Sequence, residues 1–235
     1  MNDKQPTSGF VSDIGDESDF NSTRHNGGFT NISEAYVSKS GFTRMFSAVR
    51  YGKRYMLKCL KPDFAYTPIY RQALMKEFEI GLQLDHPNIC RTISMEPVGE
   101  LGDCIVMEYV DGETLEAAVK GGNMTEDKVR KIASQLLDAM EYMHAKQTVH
   151  RDIKPSNIML THRGGDVKLI DFGLSDSETF CVLKIPAGTI GYMAPEQLQP
   201  GAKSDPCADI YSFGKVLEYM AEGVRVTKRL TLVYG

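Results

Sequence analysis

The chain has 235 residues, 42% of them hydrophobic and 25% charged, with a net charge of −4 at pH 7. That is apolar material for one large domain or two small ones, and the acidic balance excludes the basic footprint of a nucleic-acid binder. No apolar run is long enough to span a bilayer, and the opening stretch MNDKQPTSGFVSDIGDESDF lacks the basic start and apolar core of a signal peptide. The five cysteines, Cys59, Cys90, Cys104, Cys181 and Cys207, are odd in number, far apart and never in a C-x-x-C pair. A reducing, cytoplasmic compartment with no disulfide frame and no zinc site is the expectation.

Residues 1–28 are rich in Ser, Asp, Asn and Gly and are expected to be a disordered tail, too poor in apolar groups to offset ordering entropy. Alternating and apolar runs then predict strands near 32–38, 44–51 and 54–60, with Gly52-Lys53 turning between the last two. A helix follows at 68–84, with Leu74, Phe78, Gly81 and Leu82 on one face. Strands fit 90–97 and 103–110. Next comes a helix capped by Thr125, with Glu126 and Asp127 in its first turn and a stripe of Val129, Ile132, Leu136, Met140 and Met143. A strand fits 166–170. Asp205-Pro206 opens a last helix, to about 222, with Ile210, Phe213, Leu217 and Met220 as its apolar face. No internal repeat is present.

Three stretches carry chemistry. In VHRDIKPSNIML (149–160), apolar flanks hold His150, Arg151, Asp152, Lys154 and Asn157 around a turn pinned by Pro155. Charges held that close to a buried scaffold need partners or a task. In DVKLIDFGLS (166–175), Asp171 ends an apolar strand, where its carboxylate can bind a hard cation, and Asn157 offers a second oxygen. In RYMLKCLK, Lys58 lies inside an apolar strand and needs an anion; Glu77, in the stripe of the next helix, can supply it. A lysine–glutamate pair, two metal-binding oxygens and a free carboxylate, Asp152, suit phosphoryl transfer, which depends on positioning and charge neutralisation.

HRDIKPSN (150–157), DFG (171–173), GTIGYMAPE (188–196) and DIYSFG (209–214), with YMLK (55–58) ahead of them, resemble the eukaryotic-type serine/threonine protein kinase family in order and spacing. The likeness runs from about Phe29 to Gly223. It implies an α+β fold of two lobes: a small β-rich N-lobe with one main helix and a hinge (29–110), and a mainly helical C-lobe (111–235) that is cut short after about residue 223. It implies ATP and Mg²⁺, and transfer to a Ser or Thr hydroxyl of a protein substrate. In that reading Asp152 takes the hydroxyl proton, Asn157 and Asp171 hold Mg²⁺, and Lys58 contacts the phosphates and pairs with Glu77. Met107 guards the back of the adenine pocket, and the backbone of Glu108 and Val110 reads adenine. Val37, Ser38, Ser40, Met45 and Met159 border the nucleotide. Lys154 and Thr189 point to Ser/Thr specificity, and Arg151 pairs with a phosphate placed at Ser175, Ser177 or Thr179. Asp209 is read as a brace for the loop backbone, His150 as a core histidine and His86 as structural.

Several positions depart from the family's pattern. The phosphate-covering loop reads SKSGFT (38–43), with Ser38, Ser40 and Thr43 at its glycine positions, so weaker nucleotide binding is expected. Met56 crowds the adenine side. Gly81 stands where a large apolar residue packs, which is expected to loosen the helix that carries Glu77. Glu196 lacks its usual arginine partner, with Arg225 or Arg229 as stand-ins. The short C-lobe is expected to expose apolar surface for a partner or a second copy. The rival readings are a non-enzymatic pseudokinase that binds nucleotide or partners, opposed by the intact Lys58, Glu77, Asp152, Asn157 and Asp171, and a small-molecule kinase, opposed by GTIGYMAPE.

Overall fold

The computed structural model describes residues 27–37, 41–172, 191–198 and 205–234, with side chains to residue 227. Of the tail expected at 1–28, residues 1–26 fall outside the described residues, as do Ser38, Ser40, Ser175, Ser177, Thr179 and Thr189, whereas Gly27 and Gly28 form a turn that leads into the first strand.

The first lobe is a five-stranded antiparallel sheet in the order β1-β2-β3-β5-β4, from β1 (Thr30–Val37), β2 (Thr43–Arg50), β3 (Lys53–Leu60), β4 (Thr92–Pro97) and β5 (Asp103–Glu108). The β2–β3 turn is centred one residue earlier than expected. Arg50 pairs with Lys53, and Tyr51 and Gly52 lie between them at φ 52° and 73°. A two-residue hairpin loop needs positive φ at both central positions to match the strand twist, which sets the glycine's place. Cross-strand pairs point to one face of the sheet. Met45↔Lys58, Met56↔Met107 and Lys58↔Ile105 therefore share a face, and Phe46, Ala48, Leu57, Cys59, Cys104 and Val106 form the core of the opposite one.

That outer core is closed by the segment entering β1. Phe29 is fully buried there, and Arg50 stacks over its ring at 4.2 Å while bonding the Gly27 carbonyl and both oxygens of Glu96.

The other face receives α1 (Pro68–Leu82), through Ala73, Leu74, Glu77 and Gly81. Leu82 is 53% exposed, so the buried stripe runs through Glu77 and Gly81 and excludes Leu82, which one further residue of helical rotation turns to solvent. Gly81 is there for contact. A β-carbon at this position would lie 2.3 Å from the Thr92 hydroxyl on β4. Glycine lets the helix lie directly on the sheet, and the expected loosening is replaced by close packing.

The second lobe has a small sheet, β6 (Gly112–Thr114), β7 (Ile158–Thr161) and β8 (Val167–Leu169), and the helices α2 (Leu115–Lys120), α3 (Glu126–Ala145) and α4 (Pro206–Tyr234). Gly112 is needed because a β-carbon would stand 2.2 Å from the Leu160 carbonyl oxygen. Thr125 caps α3 by accepting the Lys128 N–H at 3.3 Å, and Ile132, Leu136, Ala139, Met140 and Met143 are buried; Val129 is only partly so.

α4 differs from expectation in two ways. Its inward face is Asp209, Ser212, Phe213, Val216 and Met220, all buried, while Ile210 is 51% exposed. The polar pair replaces an apolar residue because the helix holds loops as well as core. The helix also continues past residue 222 to Tyr234. Nothing in VRVTKRLTLV breaks a helix, Gly223 fits against Val119 and Met124, and the Thr227 hydroxyl donates to the Gly122 carbonyl at 2.8 Å. Asp205 holds the helix entrance by accepting the Cys207 N–H at 2.8 Å.

The lobes join at 109–111, and two backbone bonds stitch them together: Leu169 N–H to the Asn88 carbonyl at 2.8 Å, and Cys90 N–H to the Leu169 carbonyl at 2.9 Å. No helix among the described residues is long and apolar enough to cross a membrane.

Replacing Gly81 with Ala forces the Thr92 clash, and overpacking of this kind costs about 1–3 kcal/mol. The variant is expected to unfold at lower temperature despite its better helix propensity, and Gly81→Ala/Thr92→Ala to recover much of the loss. Calorimetry on the two variants checks this. The described cysteines are free, with Cys59, Cys90 and Cys104 buried and Cys207 exposed. Burial pushes the Cys90 thiol up to about 12. Alkylation at neutral pH should mark Cys207 in the native protein and reach those three only after denaturant, as read by peptide mass mapping.

Candidate active site

β3 supplies Lys58, 4% exposed, on the face that α1 covers. Glu77 meets it from α1: Nζ to Oε1 is 2.5 Å. Asp171, just beyond β8, meets the same nitrogen at 2.7 Å. Burial by itself drags the ammonium's pKa down, but the charges of Asp171 and Glu77 outweigh it and the net direction is up. Burial raises the Glu77 carboxyl against the pull of Lys58. One cation thus ties a strand, a helix and the start of the 171–173 segment.

The 150–157 loop is built by side chains holding backbone. Asp209, fully buried on α4, accepts the N–H groups of His150 and Arg151, each at 2.8 Å, and the His144 Nε2 at 2.8 Å. This is the brace expected of it; His144, in the last turn of α3, was not singled out from the sequence. His150 is a core residue, its ring 5.1 Å from that of Phe172 and its Nε2 3.2 Å from the Ile170 carbonyl oxygen. His86 stacks on Tyr142 and accepts the Asn88 N–H through Nδ1. Arg151 and Asp171 both adopt left-handed backbone, φ 67° and 69°. Non-glycine residues persist there only when their surroundings over-determine them, and such residues gather at functional sites.

Within this loop the Asp152 carboxylate is 8% exposed. Its Oδ2 accepts Lys154 Nζ at 2.7 Å and Asn157 Nδ2 at 2.9 Å. Its Oδ1 is buried with no hydrogen-bond partner among the described residues. Burial raises its pKa, opposed by Lys154. Asn157 also donates to the Asp152 carbonyl, and its own carbonyl accepts the Ile170 N–H at 2.9 Å, which fixes the loop to the residue before Asp171.

The remaining expected site residues surround this centre. Met45, Met56 and Met107 share the Lys58 face by register. Met159 is half-buried and alternates with Ile158 and Leu160, which enter the core. Glu108 donates its N–H to the Arg91 carbonyl, and its carboxylate is paired with Lys168 at 2.6 Å. Val110 follows in the link between lobes and is 9% exposed. Val37 is 42% exposed at the end of β1, paired with Arg44 and not with Met45, so its register sets it apart from the Lys58 face. Glu196 is exposed, and Arg225 pairs with Glu222 at 3.3 Å, so Arg225 is no stand-in for Glu196's partner. The Arg229 side chain lies outside the described residues.

A β-sheet lobe stacked on a helical lobe, with a lysine–carboxylate cluster and a braced Asp-Asn loop between them, defines a phosphotransferase-type architecture. A model of the protein kinase domain matches residues 39–231. Similar proteins include mitogen-activated protein kinase kinase 9 of Arabidopsis thaliana, 41% identical over 174 residues, covering 69% of this chain and 53% of that protein. Serine/threonine-protein kinase PrkC of Bacillus subtilis is 35% identical over 173 residues, 71% of this chain and 26% of that protein. Serine/threonine-protein kinase 36 of Pongo abelii is 34% identical over 191 residues, 80% of this chain and 14% of that protein. The chain belongs to the protein kinase domain family and has its α+β, two-lobed fold. It spans about half the length, or less, of these curated relatives.

Asp209→Ala would orphan the buried His150 and Arg151 amides, at roughly 1–3 kcal/mol for each donor. The variant should unfold at markedly lower denaturant than the parent, a shift that chemical denaturation monitored by circular dichroism would measure.

Proposed function

We propose that this domain is a serine/threonine protein kinase that transfers the γ-phosphoryl group of ATP to a Ser or Thr hydroxyl of a protein. The observation that carries the reading is the Asp152 carboxylate: one oxygen is committed to Lys154 and Asn157, and the other is a buried acceptor with no partner among the described residues. It adjoins the Lys58–Glu77–Asp171 cluster closely enough for the charge of Asp171 to raise its proton affinity further. The names of the relatives, serine/threonine and mitogen-activated protein kinase kinases, support the same class of substrate.

In this reading Asp152 orients the substrate hydroxyl and accepts its proton through Oδ1, and the Lys154 ammonium meets the transferred phosphoryl. Lys58, held upright by Glu77, meets the nucleotide phosphates. The Glu108 carbonyl and the Val110 backbone read the adenine edge, with Met107 behind it, and Met45 and Met159 close on the ring. The residues present fit a magnesium ion. The Asn157 amide nitrogen is committed to Asp152, which leaves its amide oxygen as the hard ligand, and the Asp171 side chain is 44% exposed, so these two residues would hold the ion. When bound, the ion would neutralise phosphate charge. The family's motif adds Ser38 and Ser40 to the proposed nucleotide border; Val37, expected there from the sequence, is left out of it because its pairing with Arg44 puts it on the face opposite Lys58. The N-lobe and hinge are assigned to 29–110 and the C-lobe to 111–235.

Phosphate transfer from labelled ATP to a generic basic protein tests the reading. Asp152→Asn should lower kcat by roughly 10²–10⁴-fold, the usual loss with a general base, while nucleotide binding stays near that of the parent. Lys58→Met should abolish transfer as well. Equal labelling by the parent and a folded Asp152→Asn would overturn it.

A further inference from the structure

The segment 191–198 carries a buried polar residue that the mechanism leaves unused. Gln197 is 6% exposed in the short 3-10 turn Pro195–Leu198. Both ends of its side-chain amide are engaged. Oε1 accepts the Ala194 N–H at 2.9 Å, and Nε2 donates to the Arg151 carbonyl oxygen at 3.3 Å.

That carbonyl belongs to the peptide unit joining Arg151 to Asp152. The N–H of the same unit donates to His150 Nδ1 at 3.3 Å. The preceding unit is held through the Arg151 N–H by Asp209. The backbone on the N-terminal side of Asp152 is therefore gripped at three points: by His150 from within the loop, by Asp209 from α4 and by Gln197 from the 191–198 segment. The residue between these units, Arg151, is left-handed. A peptide next to such a residue relaxes toward ordinary φ unless it is held, and relaxation would swing the Asp152 carboxylate. α4 secures the far side of the link: the Ser212 hydroxyl, three residues beyond Asp209, donates to the Tyr192 carbonyl at 2.7 Å. Asp209 and Ser212 share one helix face, so the loop and the 191–198 segment are registered to the same helix and cross-tied by Gln197.

We infer that Gln197 is a positioning residue that locks the Arg151–Asp152 peptide to the 191–198 segment and so aims the Asp152 carboxylate. The inference rests on the kinase reading for its catalytic consequence, and on the hydrogen-bond geometry alone for the lock itself.

Two variants of the whole chain separate the possibilities. Gln197→Glu keeps an oxygen for the Ala194 N–H and loses the donor to Arg151; Gln197→Met loses both. Amide hydrogen exchange of residues 150–157 reads the lock without any reference to activity. Exchange there is expected to quicken about tenfold, the consequence of losing one hydrogen bond of ordinary strength, with β3 and α1 unchanged. In steady-state transfer, kcat should fall about tenfold in both variants with KM for ATP within about twofold, because the lock touches the base and not the nucleotide. Unaltered exchange at 150–157, or a kcat equal to that of the parent in folded variants, overturns the inference. So does a rise in KM for ATP that matches the loss in kcat, with protection falling throughout the second lobe, which would mark Gln197 as general packing. Quickened exchange in a chain whose parent shows no Asp152-dependent transfer would sustain the lock and discard the kinase reading.

Discussion

Everything at the centre of this molecule depends on keeping one ammonium group out of water. Removing a lysine from solvent is costly, and the cost is met only by carboxylates close enough to touch it. Lys58 has two, Glu77 and Asp171, from a helix and from the far lobe. The ion cluster sets where α1 lies on the sheet, and Gly81 makes that position possible by letting the helix come down onto Thr92. It also sets where the chain leaves β8. Because Lys58 and Asp171 are 113 residues apart, the pairing is a long-range constraint on how the lobes face each other.

The second lobe answers a different problem, that of holding an irregular loop still. Loop backbone has no ladder to satisfy it, so buried side chains must do so. Asp209 accepts two amides and Asn157 fastens the loop to itself, while its carbonyl reaches the β8 exit. The result is a carboxylate, Asp152, whose two oxygens are unlike: one holds Lys154 and Asn157, and the other has no partner among the described residues. That asymmetry comes from the scaffold before any ligand arrives.

Much of this was legible in the residues. Motif order placed Lys58, Glu77, Asp152, Asn157 and Asp171, and apolar period placed β2, β3, β5, α1 and α3 to within a few residues. What escaped has physical causes. An apolar stripe alone predicted Ile210 inward, but Asp209 and Ser212 take that face because loops must be held, and periodicity cannot weigh a buried hydrogen bond against a methyl group. Gly81 read as a defect because its reason, the Thr92 hydroxyl, is eleven residues away in sequence and touches it only in space. The length of α4 depended on contacts to Gly122 and Val119, which no local window contains. Gln197 and His144 carry no pattern of their own; each matters through a single distant partner.

The clamp at the start of the chain bears on where this folded unit begins. The family's model enters at residue 39, but Phe29 is wholly inside the outer face of the sheet, and Arg50 grips both its ring and the Gly27 carbonyl. A protein trimmed to the family boundary would lose β1 and leave β2 as a bare edge above an uncovered apolar face, the kind of edge that recruits other strands. The physical unit is therefore longer than the family's common core and reaches back at least to Phe29, about ten positions before that core starts.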